Sequence, residues 1–216
     1  MGIRRGVLVG HSRGALPVAR IATDHPDLVS HLVILDSNTL APPDPKTPER
    51  IDPEADREPP SREEFKRARF ASNQSVVKDY LTDSYLEAEY RIGLLPKIKE
   101  VHARFNAARD KWVAANPELV KQNPLWTRNM GATTWWMYKN KFETLERINK
   151  GMLKAPTLIV WGFNDPTAPY KLGIDLMEQV SKVVAKTELH VINKSGHLVY
   201  AEHPETVTQL ISNFVG

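Results

Sequence analysis

A serine stands between two glycines near the beginning of this sequence, where a short hydrophobic run gives way to a helix-like pattern. The run is Val7-Leu8-Val9, and the chain continues as Gly10-His11-Ser12-Arg13-Gly14. An unbroken β-branched run of this kind is typical of a parallel strand that is buried on both faces. Apolar side chains then recur at helical spacing over residues 14–24. The glycines therefore flank Ser12 in a tight turn between a strand and a helix.

Such a turn constrains the backbone of Ser12. Where Gly-x-Ser-x-Gly joins a strand to a helix it is typical of a nucleophile elbow, in which the serine is strained and its hydroxyl is presented at the carboxyl end of the strand. The two glycines are expected to avoid clashes with the neighbouring chain. The amide N–H of Arg13, at the start of the helix, is then available to stabilise an oxyanion. A structural turn with an incidental serine is the alternative interpretation.

Further strands and helices are predicted on both sides of a long middle segment. Residues 31–36 form a second buried-strand pattern, and strand, helix and strand with short joints predict a right-handed parallel unit. Similar patterns return near the end of the sequence. There, strands are predicted over residues 156–162 and 188–192, and helices over residues 170–183 and 204–214.

The middle segment predicts a helical insert. Residues 41–60 are rich in proline and charge, which indicates an irregular excursion from the sheet. Ser61-Arg62-Glu63-Glu64 is a capping box and predicts a helix from Ser61. Helices are expected to continue to about Lys150, with breaks near residues 93–96 and 116–117. We therefore predict three parts: residues 1–40 as the first part of the core, 41–150 as a helical lid insert, and 151–216 as the second part of the core.

The aromatic residues of the insert leave two interpretations open. Packing in the core is favoured for most of them, whereas some could line a ligand pocket. The residues concerned are Trp112, Trp126, Trp135, Trp136, Tyr138 and Phe142.

Composition excludes several classes of function. A formal net charge of +3 over 216 residues gives little reason to expect nucleic-acid binding. The absence of cysteine excludes disulfides, thiolate metal sites and cysteine nucleophiles. No apolar run approaches the ~20 residues that a membrane helix needs, and the first residues lack the core of a signal peptide. A soluble cytoplasmic protein that acts on a small molecule, without a nucleic-acid or membrane partner, is the expectation.

A serine nucleophile needs a base and a carboxylate that orients the base. Among seven histidines, His197 directly follows the last predicted strand, at the sheet edge where α/β enzymes place working groups. Asp165 follows the preceding strand and is the favoured acid. Asp36, at the end of the second strand, is its competitor, although a cap of the turn Asp36-Ser37-Asn38 is the favoured role for that side chain.

These motifs together resemble the α/β-hydrolase superfamily over nearly the whole chain. The matching stretches are GHSRG, LVILDSNTLAP, WGFNDPTAP and SGHLVYAEHPE. Within the superfamily the sequence is most similar to the meta-cleavage product hydrolases, which cut a carbon–carbon bond in 2-hydroxy-6-oxo-hexa-2,4-dienoates. Ser12 argues against the haloalkane dehalogenases and epoxide hydrolases, which look similar but carry an aspartate at that position.

The resemblance implies a fold and a mechanism. The fold would be the C-terminal part of an α/β-hydrolase, with about four parallel strands, flanking helices and a helical lid insert. After ketonisation of the dienol, His197, oriented by Asp165, would activate Ser12 or a water to attack the 6-keto carbon. No metal or organic cofactor is required. Arg91 lies at about the interval of the lid arginine that holds the acidic end of the substrate, although a surface arginine on an amphipathic helix is an equal alternative.

Two departures from the superfamily pattern keep other functions open. Leu198 stands where related enzymes often have tryptophan after the histidine, so a carboxylester hydrolase remains an alternative. The elbow strand is the fifth of eight in the superfamily, whereas only six residues precede Val7 here. The first four strands, and the loop that gives the second oxyanion N–H, are therefore expected to be missing.

The expected loss of those strands has two consequences. One oxyanion donor is worth roughly two to three orders of magnitude in rate, so this chain alone is expected to be weakly active or inactive. An inactive fragment is accordingly a third alternative. Because the elbow strand would lie at an open edge, self-association through Val7–Val9 is also expected.

Overall fold

The structure is a computed structural model that describes residues 2, 4–42, 60–122 and 132–216. The chain divides into two compact units. The first unit contains residues 1–46, 72–80 and 141–216, and the second contains residues 47–71 and 81–140. The second unit is thus shorter than the insert predicted over residues 41–150, because residues 72–80 and the last residues of that range belong to the first unit.

The first unit contains a four-stranded parallel sheet in the order β1-β2-β3-β4. The strands are β1 (Gly6–His11), β2 (Val29–Leu35), β3 (Thr157–Gly162) and β4 (Thr187–Ile192). The helices of the described ranges are α1 (Ala15–Asp24), α2 (Arg62–Ala71), α3 (Asp83–Gly93), α4 (Pro96–Ala115), α5 (Pro117–Gln122), α6 (Ala132–Asn149), α7 (Lys171–Ser181), α8 (Val199–Glu202) and α9 (Pro204–Val215). The predicted α/β fold class with about four parallel strands is confirmed.

Burial follows the position of each strand in the sheet. All six residues of β3 are buried, as their apolar and β-branched character predicts for a central parallel strand. In β1, by contrast, Val7 is 39% exposed and Val9 is 47% exposed. The prediction that this strand is buried on both faces is wrong, because β1 is the edge strand of the sheet that the described residues form.

The two faces of the sheet are covered by different helices. Alternate side chains of β2 and β3 form one buried cluster with residues of α8 and α9. The members are Val33, Leu35, Leu158, Val160, Val199, Val207 and Phe214. In the opposite set of alternating positions, Trp161 is completely buried and packs so closely against Gly173 of α7 that a Cβ there would lie 2.7 Å from the ring. Helix α1 packs against β1 and β2.

The second unit is helical, and its local signals were correctly predicted. Ser61 and Glu64 form the capping box: the N–H of Glu64 donates to Ser61 Oγ at 3.3 Å, and the N–H of Ser61 donates to Glu64 Oε2 at 2.9 Å. Helix α2 accordingly begins at Arg62. The predicted breaks are confirmed between α3 and α4 and between α4 and α5. Three ion pairs connect α2 with α3, namely Arg62–Glu87, Lys66–Asp83 and Arg69–Glu89.

Some predictions lie outside the described residues. These are most of the proline-rich segment over residues 41–60, Trp126, and the side chains of Trp135 and Tyr138. Trp112 and Trp136 are half-buried, and the ammonium of Lys139 lies 5.6 Å and 5.9 Å from their ring centres. Within the described ranges, no helix combines the length and the apolar character needed to cross a bilayer.

Candidate active site

The turn after β1 holds Ser12 in a strained conformation. Ser12 has φ of 48°, in the left-handed region that residues with a Cβ rarely adopt. It begins a short 3-10 turn, Ser12–Gly14, that connects β1 to α1. The strain predicted for this serine is confirmed.

The two glycines of the motif differ in the space around their Cα atoms. A Cβ on Gly10 would lie 2.6 Å from Ala15 Cα and from the carbonyl oxygen of Gly14, so only glycine fits. A Cβ on Gly14 would meet nothing within 4 Å. The expectation of a steric clash is therefore confirmed for Gly10 and wrong for Gly14.

Two hydroxyl groups hold the carbonyl of Ser12. Ser37 Oγ donates to this oxygen at 2.8 Å, and Thr39 Oγ1 donates at 2.9 Å. Both residues follow the end of β2, which is the strand next to β1. The positive φ turns the carbonyl toward these donors, so the cost of the conformation is partly offset by two hydrogen bonds.

Three of the predicted side chains lie in one hydrogen-bonded series. The Nδ1–H of His197 donates to Asp165 Oδ2 at 2.7 Å, and Ser12 Oγ lies 2.9 Å from His197 Nε2, the ring nitrogen on the other side. His197 is 6% exposed and Asp165 is 5% exposed. The series brings together residues that follow β1, β3 and β4, because the carboxyl ends of parallel strands meet at one edge of the sheet.

The carboxylate of Asp165 is itself fixed. Its Oδ1 accepts the N–H of Thr167 at 2.7 Å and that of Ala168 at 2.8 Å, so its other oxygen is left to face the imidazole. The arrangement suits a group that orients a histidine and stabilises its positive charge.

The backbone of His197 is held as firmly as its ring. Its N–H donates to the carbonyl of Gln74 at 2.6 Å. Its carbonyl accepts from Nε2 of His11 at 2.6 Å, so that nitrogen of His11 carries a proton. Burial lowers the pKa of His11, which keeps its imidazole neutral at pH 7.

Asp36 directly follows β2, as predicted, but its hydrogen-bond partners differ from those predicted. It is completely buried, and its carboxyl group accepts the N–H of Gly162 at 2.7 Å and the N–H of Val199 at 3.2 Å. The predicted cap of its own turn is wrong, since Ser37 Oγ accepts the N–H of Leu40 there. Asp36 instead connects the end of β2 to the end of β3 and the start of α8.

Burial also changes the protonation of Asp36. It raises the pKa of the carboxyl group to about 8, against the effect of the N–H donor Gly162, and the negative charges of Asp165 and Glu202 raise it further. The group is therefore largely neutral at pH 7, whereas Asp165 is the carboxyl group that touches His197.

The other two predicted site residues are at the surface. Arg13 is exposed and follows Ser12 in the 3-10 turn, so its N–H belongs to the N-terminal end of that turn. Arg91 lies on α3 in the second unit with 74% of its side chain exposed, and its Nε donates to Glu87 at 2.6 Å. An oxyanion role for Arg13 and a substrate role for Arg91 stay predictions. Within the described ranges, no group of three or more His, Asp or Glu side chains is placed to hold a metal ion.

Sequence reasoning missed two residues that hold His197 in place. Gln74 lies in the middle segment, and its contribution is a backbone carbonyl, which no side-chain pattern signals. Glu202 was overlooked because a glutamate in a short helix reads as a surface residue. No pattern in this stretch distinguishes it, since Glu205, three positions later, is also a glutamate and is exposed.

A parallel sheet with a strained serine, a histidine and an aspartate at its carboxyl edge defines an α/β hydrolase arrangement. The family described as alpha/beta hydrolase fold matches residues 1–204. The chain belongs to this family, and it therefore descends from enzymes.

Sequence comparison with curated relatives shows which members of the family the chain resembles. Over 65 residues the chain is 40% identical to a 2-hydroxy-6-oxononadienedioate/2-hydroxy-6-oxononatrienedioate hydrolase of Klebsiella pneumoniae. It is 35% identical over 65 residues to a hydrolase of the same description from Pseudomonas putida. Each match covers 30% of this chain and 21% of the relative. The resemblance to meta-cleavage product hydrolases is thereby confirmed.

Solved structures agree on the fold. A meta-cleavage product hydrolase from Pseudomonas fluorescens IP01 has a TM-score of 0.57 at 15% identity, over 98% of this chain and 65% of that one. A serine hydrolase from the polyaromatic hydrocarbon-degrading bacterium Cycloclasticus zankles has a TM-score of 0.61 at 15% identity, over 99% of this chain and 64% of that one. The chain thus spans somewhat less than two thirds of the length of these structures.

Proposed function

We propose that Ser12, His197 and Asp165 are the nucleophile, base and orienting acid of a serine hydrolase that cleaves a carbon–carbon bond in a meta-cleavage product. The observation that carries this proposal is the pair of hydrogen bonds, 2.9 Å and 2.7 Å long, that joins the three side chains in the order the chemistry needs. The strained elbow, with φ of 48° at Ser12, supports it independently.

The geometry supports a simple route for the proton. His197 Nε2 accepts the proton of Ser12 as Oγ bonds to the carbonyl carbon of the substrate. The imidazolium that forms is stabilised by the carboxylate of Asp165 at the other ring nitrogen. The negative charge on the former carbonyl oxygen is stabilised by the N–H of Arg13.

Carbon–carbon cleavage requires an electron sink in the substrate. In a ketonised dienoate the bond beside the attacked carbonyl breaks as the tetrahedral intermediate collapses, and its electron pair passes into the conjugated ketone to form a dienolate. His197 returns its proton to that fragment, and the acyl group stays on Ser12 Oγ until water displaces it. Arg91 binds the acidic end of the dienoate in this proposal. The names of the relatives from Klebsiella pneumoniae and Pseudomonas putida support such substrates.

A carboxylester hydrolase is the second candidate. It uses the same three residues and needs no electron sink, because the alkoxide of an ester leaves directly. Leu198 favours this alternative, since a small aliphatic side chain follows the histidine where related carbon–carbon hydrolases often have tryptophan.

The experiment compares variants on two substrates, a chromogenic dienoate and p-nitrophenyl acetate. Ser12→Ala is expected to lower kcat by at least about 10³-fold on whichever substrate is turned over. Asp165→Asn is expected to lower kcat by about 10²–10⁴-fold, and Asp36→Asn by much less. Turnover that survives in Ser12→Ala would refute the proposal, and a larger loss in Asp36→Asn than in Asp165→Asn would reassign the acid.

Two further readouts separate the candidate functions. A shift in the absorption of the dienoate on mixing with Ser12→Ala indicates bound, ketonised substrate and favours carbon–carbon cleavage, whereas an unchanged spectrum favours the esterase. Arg91→Gln is expected to raise KM for the charged dienoate and to leave KM for p-nitrophenyl acetate unchanged. Equal KM values for the dienoate would remove Arg91 from the site.

A further inference from the structure

Glu202 is a buried carboxylate that accepts three backbone N–H groups. The residue is 6% exposed at the end of α8. Its Oε1 accepts the N–H of Gly196 at 2.9 Å, and its Oε2 accepts those of Val76 at 2.7 Å and Val77 at 2.9 Å. Removing a carboxylate from water is costly, and three charge-assisted hydrogen bonds of this length offset the cost.

The three donors come from two segments that meet around His197. Gly196 belongs to the histidine loop, residues 193–198, which connects β4 to α8. Val76 and Val77 belong to the strap, Ser72–Tyr80, which is part of the first unit although both of its chain neighbours belong to the second. One side chain therefore ties the strap to the histidine loop.

Strap and loop also contact each other directly. The N–H of His197 donates to the carbonyl of Gln74 at 2.6 Å. A Cβ on Gly196 would lie 2.2 Å from the same carbonyl oxygen, so no larger residue fits there. The hydrogen bonds to Glu202 lie on both sides of this contact and add a side-chain connection between the strap and the loop.

We propose that Glu202 is a positioning residue for His197, which it fixes by holding the strap and the histidine loop together. The inference rests on the proposed function and adds a fourth polar side chain to its machinery, one that touches no reacting atom. It acts through the backbone: Gly196 directly precedes the base, and the strap supplies the acceptor for the N–H of the base.

A carboxylate is the group this place requires. It has two oxygens that only accept hydrogen bonds, which matches donors on two sides. A glutamine has one such oxygen, and its NH₂ group would face at least one backbone N–H without an acceptor between them. Glu202→Gln is thus nearly identical in shape, and it removes the negative charge together with the ability to accept on both sides.

The test compares Glu202→Gln with two controls in the full chain. Glu205→Gln makes the same chemical change three residues later, at an exposed position in the first turn of α9. Val207→Ala removes buried volume from the core cluster without changing a hydrogen-bonding side chain, and it serves as a control for lost stability. Glu202→Asp, which keeps the charge but is one methylene shorter, carries the test if Glu202→Gln does not fold.

Two kinds of measurement are made below the unfolding temperature of every variant. The first is kcat and KM for p-nitrophenyl acetate. The second is the low-field proton resonance of the His197–Asp165 hydrogen bond, observed by NMR without substrate. Glu202→Gln is expected to lower kcat by about 10–100-fold, because small misplacements of a catalytic group cost up to about 10²-fold. KM is expected to change less than about twofold, and the low-field resonance to broaden or move upfield.

The outcomes separate this inference from the proposed function. A kcat and a low-field resonance in Glu202→Gln that match those of Glu205→Gln would overturn the inference, as would an equal loss of both in Val207→Ala. Turnover that does not depend on Ser12 would refute the proposed function, and the low-field resonance would then decide the inference alone.

Discussion

Thr39 donates a hydrogen bond of 2.9 Å to the carbonyl oxygen of Ser12, from the segment that follows the neighbouring strand. Ser37 donates a second one at 2.8 Å, and the two hydroxyl groups lie 3.1 Å apart. A left-handed conformation costs a residue with a Cβ roughly 1–2 kcal/mol. The two donors therefore hold the serine in a backbone conformation that it would otherwise leave.

The first prediction concerns these donors. Thr39→Val keeps the shape of the side chain and removes its hydroxyl, so it is expected to lower the free energy of unfolding by about 1 kcal/mol. Combined with Ser37→Ala, it is expected to slow the reaction of Ser12 with a fluorophosphonate probe by about tenfold or more. Urea denaturation and the labelling rate measure the two effects.

A matched control for this prediction exists in α1. Thr23 is also buried, and its hydroxyl donates to the carbonyl of Arg20 at 2.9 Å. Thr23→Val is expected to cost similar stability and to leave the labelling rate unchanged. Equal labelling rates in the wild type and in the Ser37→Ala/Thr39→Val protein would show that the two hydroxyl groups do not set the reactivity of Ser12.

The second prediction separates the two glycines of the elbow. Gly10→Ala is expected to lower the free energy of unfolding by about 1–3 kcal/mol, because its Cβ would lie 2.6 Å from backbone atoms that cannot move independently. Gly14 has φ of −68° and open space around its missing Cβ. Gly14→Ala is therefore expected to be neutral or to stabilise by about 0.4–1 kcal/mol. Chemical denaturation of both variants tests the contrast, and equal losses would contradict it.

The third prediction concerns the pH dependence that Asp36 gives to stability. Its pKa of about 8 in the folded protein lies above its unfolded value of 3.8, so between these values the folded state binds the additional proton. The contribution of Asp36 to the free energy of unfolding is therefore present at low pH and is lost as the pH rises toward 8. The loss is at most about 1.4 kcal/mol per pH unit.

Asp36→Asn isolates that effect because asparagine does not titrate. The free energy of unfolding of the wild type minus that of the variant is expected to fall from pH 4 to pH 8 and to stay constant above. Burial lowers the pKa values of His11 and His31, so these two groups make the folded state more stable as the pH rises. Because both proteins contain them, their contribution cancels when the variant is subtracted from the wild type. A difference that does not depend on pH would mean that Asp36 is ionised in the folded protein.

The fourth prediction concerns the edge of the sheet at β1. Exposed valines on an edge strand promote pairing between molecules, so we propose that the chain self-associates through Val7 and Val9. Val9→Lys is expected to reduce the concentration-dependent increase in sedimentation coefficient. Val191→Lys is the control, since Val191 is 39% exposed on β4 at the opposite edge. A wild type that stays monomeric at high concentration, or an equal effect of Val191→Lys, would disprove this role of β1.

The series of Ser12, Asp165 and His197 could be predicted because each residue follows a strand that its own hydrophobic run reveals. Parallel strands end at one edge, so the fold itself brings such residues together. A hydrophobic run does not show whether a strand lies at the centre or at the edge of its sheet, so the run of β1 wrongly predicted burial on both faces. The open edge expected from the family resemblance is observed in the sheet that the described residues form. The hydrogen bonds of Asp36 were predicted wrongly for a related reason. Its partners, the N–H groups of Gly162 and Val199, are remote in sequence.

Glu202 and Gln74 show where sequence reasoning ends. Gln74 contacts His197 through a backbone carbonyl, and the carboxylate of Glu202 accepts backbone N–H groups of the loop and the strap. Every residue except proline carries both of these backbone groups. Only the folded chain decides which carbonyl meets which N–H. Gly14 is the opposite case. The motif predicts that only glycine fits there, whereas the packing leaves room for a Cβ.

The separation of Ser12 and His197 along the chain also has a consequence during synthesis. They meet at 2.9 Å although 185 positions separate them. At ordinary rates of translation the ribosome needs roughly 10–40 s to add that many residues. For all of that time Ser12 lacks the imidazole of His197, so the hydrogen-bonded series cannot form before the second half of the chain has emerged and folded.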